Sequence, residues 1–269
     1  MVPEAGVPAL QYQDNGPVVE LRGVNMLYTG GKNQVDALAD VDLTICRGEF
    51  VCALGPSGCG KSTLLNLIAG LLKPTGGTIT MLGKPITGVD RSRAVLFQTP
   101  TLYPWLSTFD NVAFGPRMQG MPAPQVRAET EKYLKLVGLE DFAKSKPYEL
   151  SGGMKQRAAL ARVLVNQPEV ILMDEPFGAL DALTRANMQD LIRRMWKETG
   201  STVFFITHDV DEALRLATKV VVLSNRPGRI VLEREVDFTR SIRDGQNDDT
   251  LFTPPYIALR REILSQINQ

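Results

Sequence analysis

The chain is short of everything needed to gather a metal ion on protein ligands alone. Of its 269 residues one is histidine, His208, and three are cysteine, Cys46, Cys52 and Cys59, none in CxxC spacing. Zinc, which takes about four such ligands in structural sites, is therefore not expected. The odd, sparse cysteine count suits a reducing compartment rather than a disulfide framework. Charge excess is missing too, because 30 Lys and Arg balance 30 Asp and Glu. No global field draws the chain to nucleic acid or to an anionic membrane. Any phosphate recognition must be local. No apolar run approaches the roughly 18 residues of a membrane span, and the start lacks the basic-then-apolar pattern of an export signal. A soluble chain that is not exported is predicted. What is plentiful is hydrophobic side chains, 43% of the total, ample for the core of one large domain or two small ones.

Met1 to Pro17 holds three prolines and two glycines without periodicity and reads as a flexible leader, 1–17. From Val18 onward alternation sets in. Val41, Leu43 and Ile45 share one face and Asp42 and Thr44 the other, and Thr78 to Leu82 behaves alike, so an antiparallel sheet is predicted here. Five later runs are continuously apolar: Phe50–Leu54, Ala94–Phe97, Val170–Met173, Val203–Ile206 and Val220–Leu223. Strands of that kind suit a parallel sheet covered by helices on both faces. Met188, Leu191, Ile192, Met195 and Trp196 form a helical stripe, with Arg193, Arg194 and Lys197 outside it; Trp196 is read as core. Between Gln98 and Ser151 the strand signal vanishes and helix-like stretches are broken at Gly115-Pro116, Gly120 to Pro122 and Pro147, which predicts an inserted helical subdomain. After Pro254-Pro255, the residues Tyr256, Leu259, Ile263 and Ile267 recur at helical spacing. That helix either caps the core of its own chain, the favoured reading, or meets a partner.

Gly55-Pro56-Ser57-Gly58-Cys59-Gly60-Lys61-Ser62 fits G-x-x-x-x-G-K-[ST], with an apolar strand before it and a helix predicted over Thr63 to Leu72. Its glycines let successive backbone N–H groups converge on phosphate oxygens, and the helix end adds positive potential. Lys61 is assigned to the β- and γ-phosphates and Ser62 to Mg²⁺. Cys59 fills a variable place in the loop and is read as inert. A metal-holding carboxylate belongs at the end of a neighbouring buried strand, and Val170 to Met173 leads into Asp174 and Glu175. Asp174 fits the ion and Glu175 the polarisation of an attacking water.

Leu150-Ser151-Gly152-Gly153-Met154-Lys155-Gln156-Arg157 resembles the signature sequence of the ATP-binding cassette (ABC) family, and further motifs follow in the family's order. The resemblance implies that Tyr28 stacks on adenine and that the loop through Thr63 cradles the nucleotide. It gives Gln98 a catalytic and Mg²⁺-binding role between the core and the helical subdomain, makes Ala179-Leu180-Asp181 the D-loop, and makes His208 the residue that senses the γ-phosphate. Ser151-Gly152-Gly153 opens a helix, so it is at once an N-cap and a second anion site. The implied fold is α/β, a P-loop NTPase of ABC type. Its parallel-sheet core carries an N-terminal antiparallel β-subdomain and an inserted helical subdomain at about 99–165; the ATPase domain covers 18–250 and a C-terminal helix 251–269. The implied cofactors are ATP and Mg²⁺.

The resemblance extends to assembly. It implies a head-to-tail homodimer in which each signature closes on the other subunit's ATP, and two separate permease subunits docking near Tyr103 to Phe114 at the cytoplasmic face of the inner membrane. An extracytoplasmic solute-binding protein takes part indirectly. The stretches Leu96 to Gln98, Leu102 to Trp105, Asn111 to Gly115 and Asp174 to Asp181 are most similar to nitrate, sulfonate, taurine and bicarbonate importers, with a sulfonate or taurine as the expected solute. The alternatives are the ATPase of an exporter or lipid-trafficking complex, or a soluble ABC ATPase of DNA repair or translation. Balanced charge opposes a nucleic-acid track.

Overall fold

The computed structural model describes residues 16–30, 33–178, 180–241 and 253–267. Two sheets share the work. The first is antiparallel, with β1 (Pro17–Gly30), β2 (Asn33–Cys46), β4 (Gly76–Met81) and β5 (Lys84–Pro85) in the order β2-β1-β4-β5. As the alternation requires, Val41, Leu43 and Ile45 are buried while Asp42 and Thr44 are exposed. Strand β1 starts at Pro17, one residue inside the predicted leader; the rest of that leader, 1–15, lies outside the described residues.

The second sheet contains β3 (Phe50–Leu54), β6 (Arg93–Leu96), β7 (Val170–Asp174), β8 (Thr202–Ile206), β9 (Lys219–Leu223) and β10 (Ile230–Glu235), in the order β10-β9-β3-β8-β7-β6. The five predicted apolar runs are its parallel strands. All five residues of β3, β8 and β9 are buried, because helices or the other sheet cover both faces. Even Lys219 is buried in β9, held by Glu49 at 3.0 Å and by the carbonyl of Thr44 at 3.0 Å. Strand β10 escapes the sequence patterning: it pairs antiparallel to β9 at the edge, and only Leu232 among its residues is buried.

Helix α1 (Lys61–Ala69) follows β3 and sinks Leu64, Leu65, Leu67 and Ile68 into the core between the two sheets. It begins two residues earlier and ends three earlier than predicted. Gly70 stops it in a left-handed conformation (φ +78°), with the N–H groups of Leu71 and Leu72 turned back onto the Asn66 carbonyl. A second core lies on the other face of the large sheet, under α4 (Gly152–Leu164), α5 (Ala182–Thr199), α6 (Val210–Leu216) and α8 (Pro254–Ile267). There Trp196 packs edge-on against Phe50, centroids 6.1 Å apart, and its Nε1 donates to the Gly48 carbonyl. Arg193, placed outside the stripe by its spacing, is buried and bonds Asp190 at 3.0 Å. Its guanidinium pairs on its own helix with Asp190, whose side chain stays 41% exposed, a compensation that periodicity does not register.

The insertion consists of α2 (Thr108–Met118), α3 (Ala123–Leu136), two 3₁₀ turns and α4. The expected break at Gly115-Pro116 does not occur. Helix α2 runs through it because Pro116 is buried in its last turns and Gly115, lacking a Cβ, lets α2 close onto Asn166 beyond α4. Packing thus outweighs the proline penalty. At the C-terminus, α8 docks on its own chain, with Tyr256 and Ile263 buried and Leu259 and Ile267 partly covered; residues 251–252, 268–269 and the predicted domain end at 250 lie outside the described residues. The β9–β10 turn ties the two sheets together. Gly228 pairs with Leu38, donating to the Ala37 carbonyl and accepting from the Ala39 N–H.

Candidate functional site

The parallel strands end at one edge, and there the predicted phosphate loop joins β3 to α1. Two of its glycines are required by geometry. At Gly55 (φ +150°) a Cβ would come within 2.8 Å of the Leu223 carbonyl, and at Gly60 (φ +102°) within 2.8 Å of the Ala37 carbonyl. Gly60 also caps α1 without a side chain, so backbone N–H groups of the first turn remain for an anion. Lys61 Nζ donates to the carbonyls of Gly55 (2.8 Å) and Pro56 (3.0 Å), which hold the ammonium across the loop. Cys59 is buried beneath it.

From the end of β7, separated from β3 by β8, Asp174 accepts a 3.2 Å hydrogen bond from Ser62 Oγ. Burial pushes its carboxyl up and the adjacent Glu175 charge adds to this, against the Ser62 bond. Glu175 sits just past β7 with φ +42°, a left-handed conformation strained for glutamate. Its N–H is fixed by the Ile206 carbonyl at 3.0 Å, and its Oε2 lies 3.1 Å from His208 Nδ1, at the end of the adjacent strand β8. One cavity of about 400 Å³ is lined by Ser57, Gly58, Gly60, Lys61, Ser62 and Thr63 on one side and by Glu175 and His208 on another. Tyr28 and Val35 of the antiparallel sheet form its outer wall, and the Tyr28 hydroxyl is 3.3 Å from Thr63 Oγ1.

Arg226 also lines this cavity, donating to the Gly58 carbonyl at 3.1 Å. Sequence reasoning missed it. The available signal was its turn, Asn225-Arg226-Pro227-Gly228, which leaves a buried parallel strand at the edge where ligands bind in such sheets.

The other predicted residues lie elsewhere. Gln98 is exposed, its amide beside Gly178. Ser151 caps α4, accepting from the Met154 N–H, and with Gly153 lines a separate cavity of about 690 Å³ that includes Thr184, Arg157 and Arg194. Asp181 caps α5 by accepting from Thr184 N–H at 3.0 Å, and its bonds to Thr184 hold its carboxyl below the usual range. Ala179 of the expected D-loop lies outside the described residues. One chain therefore presents a phosphate loop and a signature in different places. On the helical insertion, Tyr103 packs between Trp105 (5.6 Å) and Phe114 (4.8 Å) while Arg162 lies over its ring, and Trp105 remains 69% exposed.

The profile of the ABC transporter family matches residues 38–178, from the antiparallel sheet through the phosphate loop, the signature and Glu175. The chain belongs to the ABC transporter family. Among its relatives in this family, the taurine import ATP-binding protein TauB of Jannaschia sp. (strain CCS1) is 48% identical over 250 residues, covering 92% of each chain. TauB of Pelagibacter ubique (strain HTCC1062) is 46% identical, over 91% of this chain and 93% of its own. Of solved structures, the dimeric post-hydrolysis state of the ATP-binding cassette MJ0796 bound to ADP and Pi superimposes with a TM-score of 0.72 at 35% identity, over 81% of this chain and 99% of that one. CbiO1 from Clostridium perfringens, part of the ABC transporter complex cbiONQ, gives 0.74 at 29%, over 94% and 96%. The sequence-based assignment to ABC ATPases and to an ABC-type P-loop fold is thereby borne out. Among the described residues, no helix is long and apolar enough to cross a membrane.

Proposed function

We propose that this ABC ATPase powers an importer for taurine or a closely related small sulfonate, working as a head-to-tail dimer on separate membrane subunits at the cytoplasmic face. The observation that carries the hydrolytic part is the single cavity in which Lys61 and Ser62 face the Glu175–His208 pair. The solute is supported by TauB relatives at 43–49% identity across most of the chain.

The triphosphate enters along the loop, where unpaired backbone N–H groups meet its oxygens and Lys61 exchanges the Gly55 and Pro56 carbonyls for phosphate oxygens. Tyr28, exposed at the outer wall, offers its ring face to the adenine, and Arg226 adds a positive charge beside Gly58. The place beside the phosphates fits Mg²⁺ by the chemistry of its donors, Ser62 hydroxyl and Asp174 carboxylate, both hard oxygens. Among the described residues no group of three or more His, Cys, Asp or Glu gathers to hold a metal unaided, as suits an ion that arrives with phosphates and keeps waters. When bound, the ion neutralises charge developing on the β- and γ-phosphates.

Glu175 accepts a hydrogen bond from the attacking water, whose oxygen bonds to the γ-phosphorus as the bond to the β,γ-bridging oxygen breaks. The water's proton passes to the Glu175 carboxylate and ADP and phosphate leave. His208 Nδ1 lies 3.1 Å from Glu175 Oε2, which leaves its other ring nitrogen, Nε2, to meet the γ-phosphate. Ser151 and Gly153 line a different cavity, and a second copy supplies that anion site to complete each ATP. Docking of permease subunits belongs to the exposed Tyr103–Trp105–Phe114 cluster. Deleting the gene should abolish uptake of labelled taurine, and the wild-type chain should restore it while Glu175→Gln should not. Unchanged taurine uptake in the deletion strain would refute the solute assignment.

A further inference from the structure

A second, far smaller cavity also touches Glu175 and His208. It measures about 20 Å³, and its other walls include Thr207, Arg185 and Glu212; a single water needs about 10–15 Å³. Phe177 closes it on one side, and its inner wall, Thr207 and Glu212, is buried and polar. Glu212, at the start of α6, is 5% exposed and accepts hydrogen bonds from Gln189 Nε2 at 2.9 Å and from the Thr207 hydroxyl. Thr207 Oγ1 in turn accepts from the Asp209 N–H at 3.0 Å, so Glu212 grips both neighbours of His208 through one side chain. Arg185 enters from α5 and donates through Nη2 to the Leu180 carbonyl at 3.2 Å, yet its Nε is buried with no hydrogen-bond partner. A buried guanidinium N–H left unmade is costly, and a cavity of one-water size beside it is the usual remedy.

We propose that Arg185 and Glu212 hold one water molecule in this cavity, with Arg185 Nε as its donor, and through it position the Glu175–His208 pair for hydrolysis. The proposal rests on the hydrolytic roles given to Glu175 and His208 above. Both new residues act through others and are positioning residues.

The pH dependence follows from the groups that face Glu212. Burial raises its carboxyl above the usual range and Asp209 adds to this, while bonds from Thr207 and Gln189 and the charge of Arg185 oppose it; Cys52 of β3 lies within electrostatic reach. Ionised, above its raised pKa, the carboxylate accepts from Thr207 and Gln189. Protonated, it exchanges an acceptor for a donor and loosens the hold on Thr207. Turnover should therefore fall on the acid side while ATP binding does not.

The test is steady-state ATP hydrolysis by the full-length chain, followed from neutral pH down through the acid range. Glu212→Gln mimics the protonated acid: kcat should drop about tenfold with KM for ATP unchanged, and the acid limb should flatten. Arg185→Lys keeps the charge but removes Nε, and should lower kcat similarly. Wild-type kcat and pH profile in both variants overturns the proposal, as does a change in KM and melting temperature without one in kcat. Glu175→Gln run alongside separates the two levels: full turnover there overturns the hydrolytic reading, whereas its inactivity beside an unaffected Glu212→Gln overturns only the water. A high-resolution crystal structure decides independently of folding defects in the variants. Density for a water within hydrogen-bonding distance of Arg185 Nε supports the proposal, and a dry cavity sinks it.

Discussion

Glu175 combines a strained backbone with the hydrolytic role proposed for it, and the two belong together. Its left-handed φ turns the chain immediately after β7 and brings the carboxylate back to His208. Replacing it by glutamine keeps shape but removes the proposed base: ATP should still bind, while turnover should fall by at least about 100-fold, as read by hydrolysis and nucleotide-binding assays. Gly60→Ala should act differently. Its Cβ meets the Ala37 carbonyl at a backbone angle only glycine adopts readily, so melting should report a loss of about 1–3 kcal/mol together with weakened ATP binding. At this scale the sequence was informative wherever a residue type is rare for its position. A Gly-rich loop with Lys61, and two acids at the end of an apolar run, stand out; Arg226 did not, because one arginine in a turn looks like any solvated charge until the fold swings that turn beside Gly58.

Among the elements, α8 shows how a terminal helix earns its place. The Tyr256 hydroxyl donates to Asp211 Oδ1 at 2.9 Å, and Arg260 bonds both oxygens of the same carboxylate at 2.8 and 3.1 Å. Tyr256→Phe should destabilise the protein by about 1–2 kcal/mol in chemical denaturation, the worth of a hydrogen bond to a charged acceptor. Burial works to raise the Asp211 carboxyl, but the bonds from Arg260 and Tyr256 prevail and hold it below the usual range. A depressed carboxylate stabilises above its unfolded pKa, about 3.9, and loses that contribution as pH falls through the folded value. The melting-temperature gap between wild type and Asp211→Asn should accordingly be full at neutral pH and close below about pH 4. Helix α8 was legible because Tyr256, Leu259, Ile263 and Ile267 keep helical spacing, and the parallel strands because they are apolar throughout. Strand β10 was not, since an edge strand bearing Glu233, Arg234 and Glu235 has one wet face, and α2 continues through Pro116 on the strength of tertiary packing alone.

In the whole molecule, the separation of the phosphate loop from the signature sets the logic of assembly. If each ATP lies between Lys61 of one copy and Ser151 of another, Lys61→Ala and Ser151→Phe chains should each be inactive alone, yet a mixture should regain turnover through heterodimers that contain one intact pair. Chains carrying both changes should rescue nothing when mixed with either single variant. The parallel-sheet architecture followed from patterning, but the joint between the sheets did not, because Gly228 and Leu38 are 190 positions apart in the chain and no periodicity links them. That joint offers an internal ruler. A fluorophore near Tyr28 and an acceptor near Arg226 would straddle the Leu38–Gly228 pairing and hold a constant transfer efficiency through the ATP cycle, so any change seen after moving the acceptor to Trp105 is displacement of the helical layer itself.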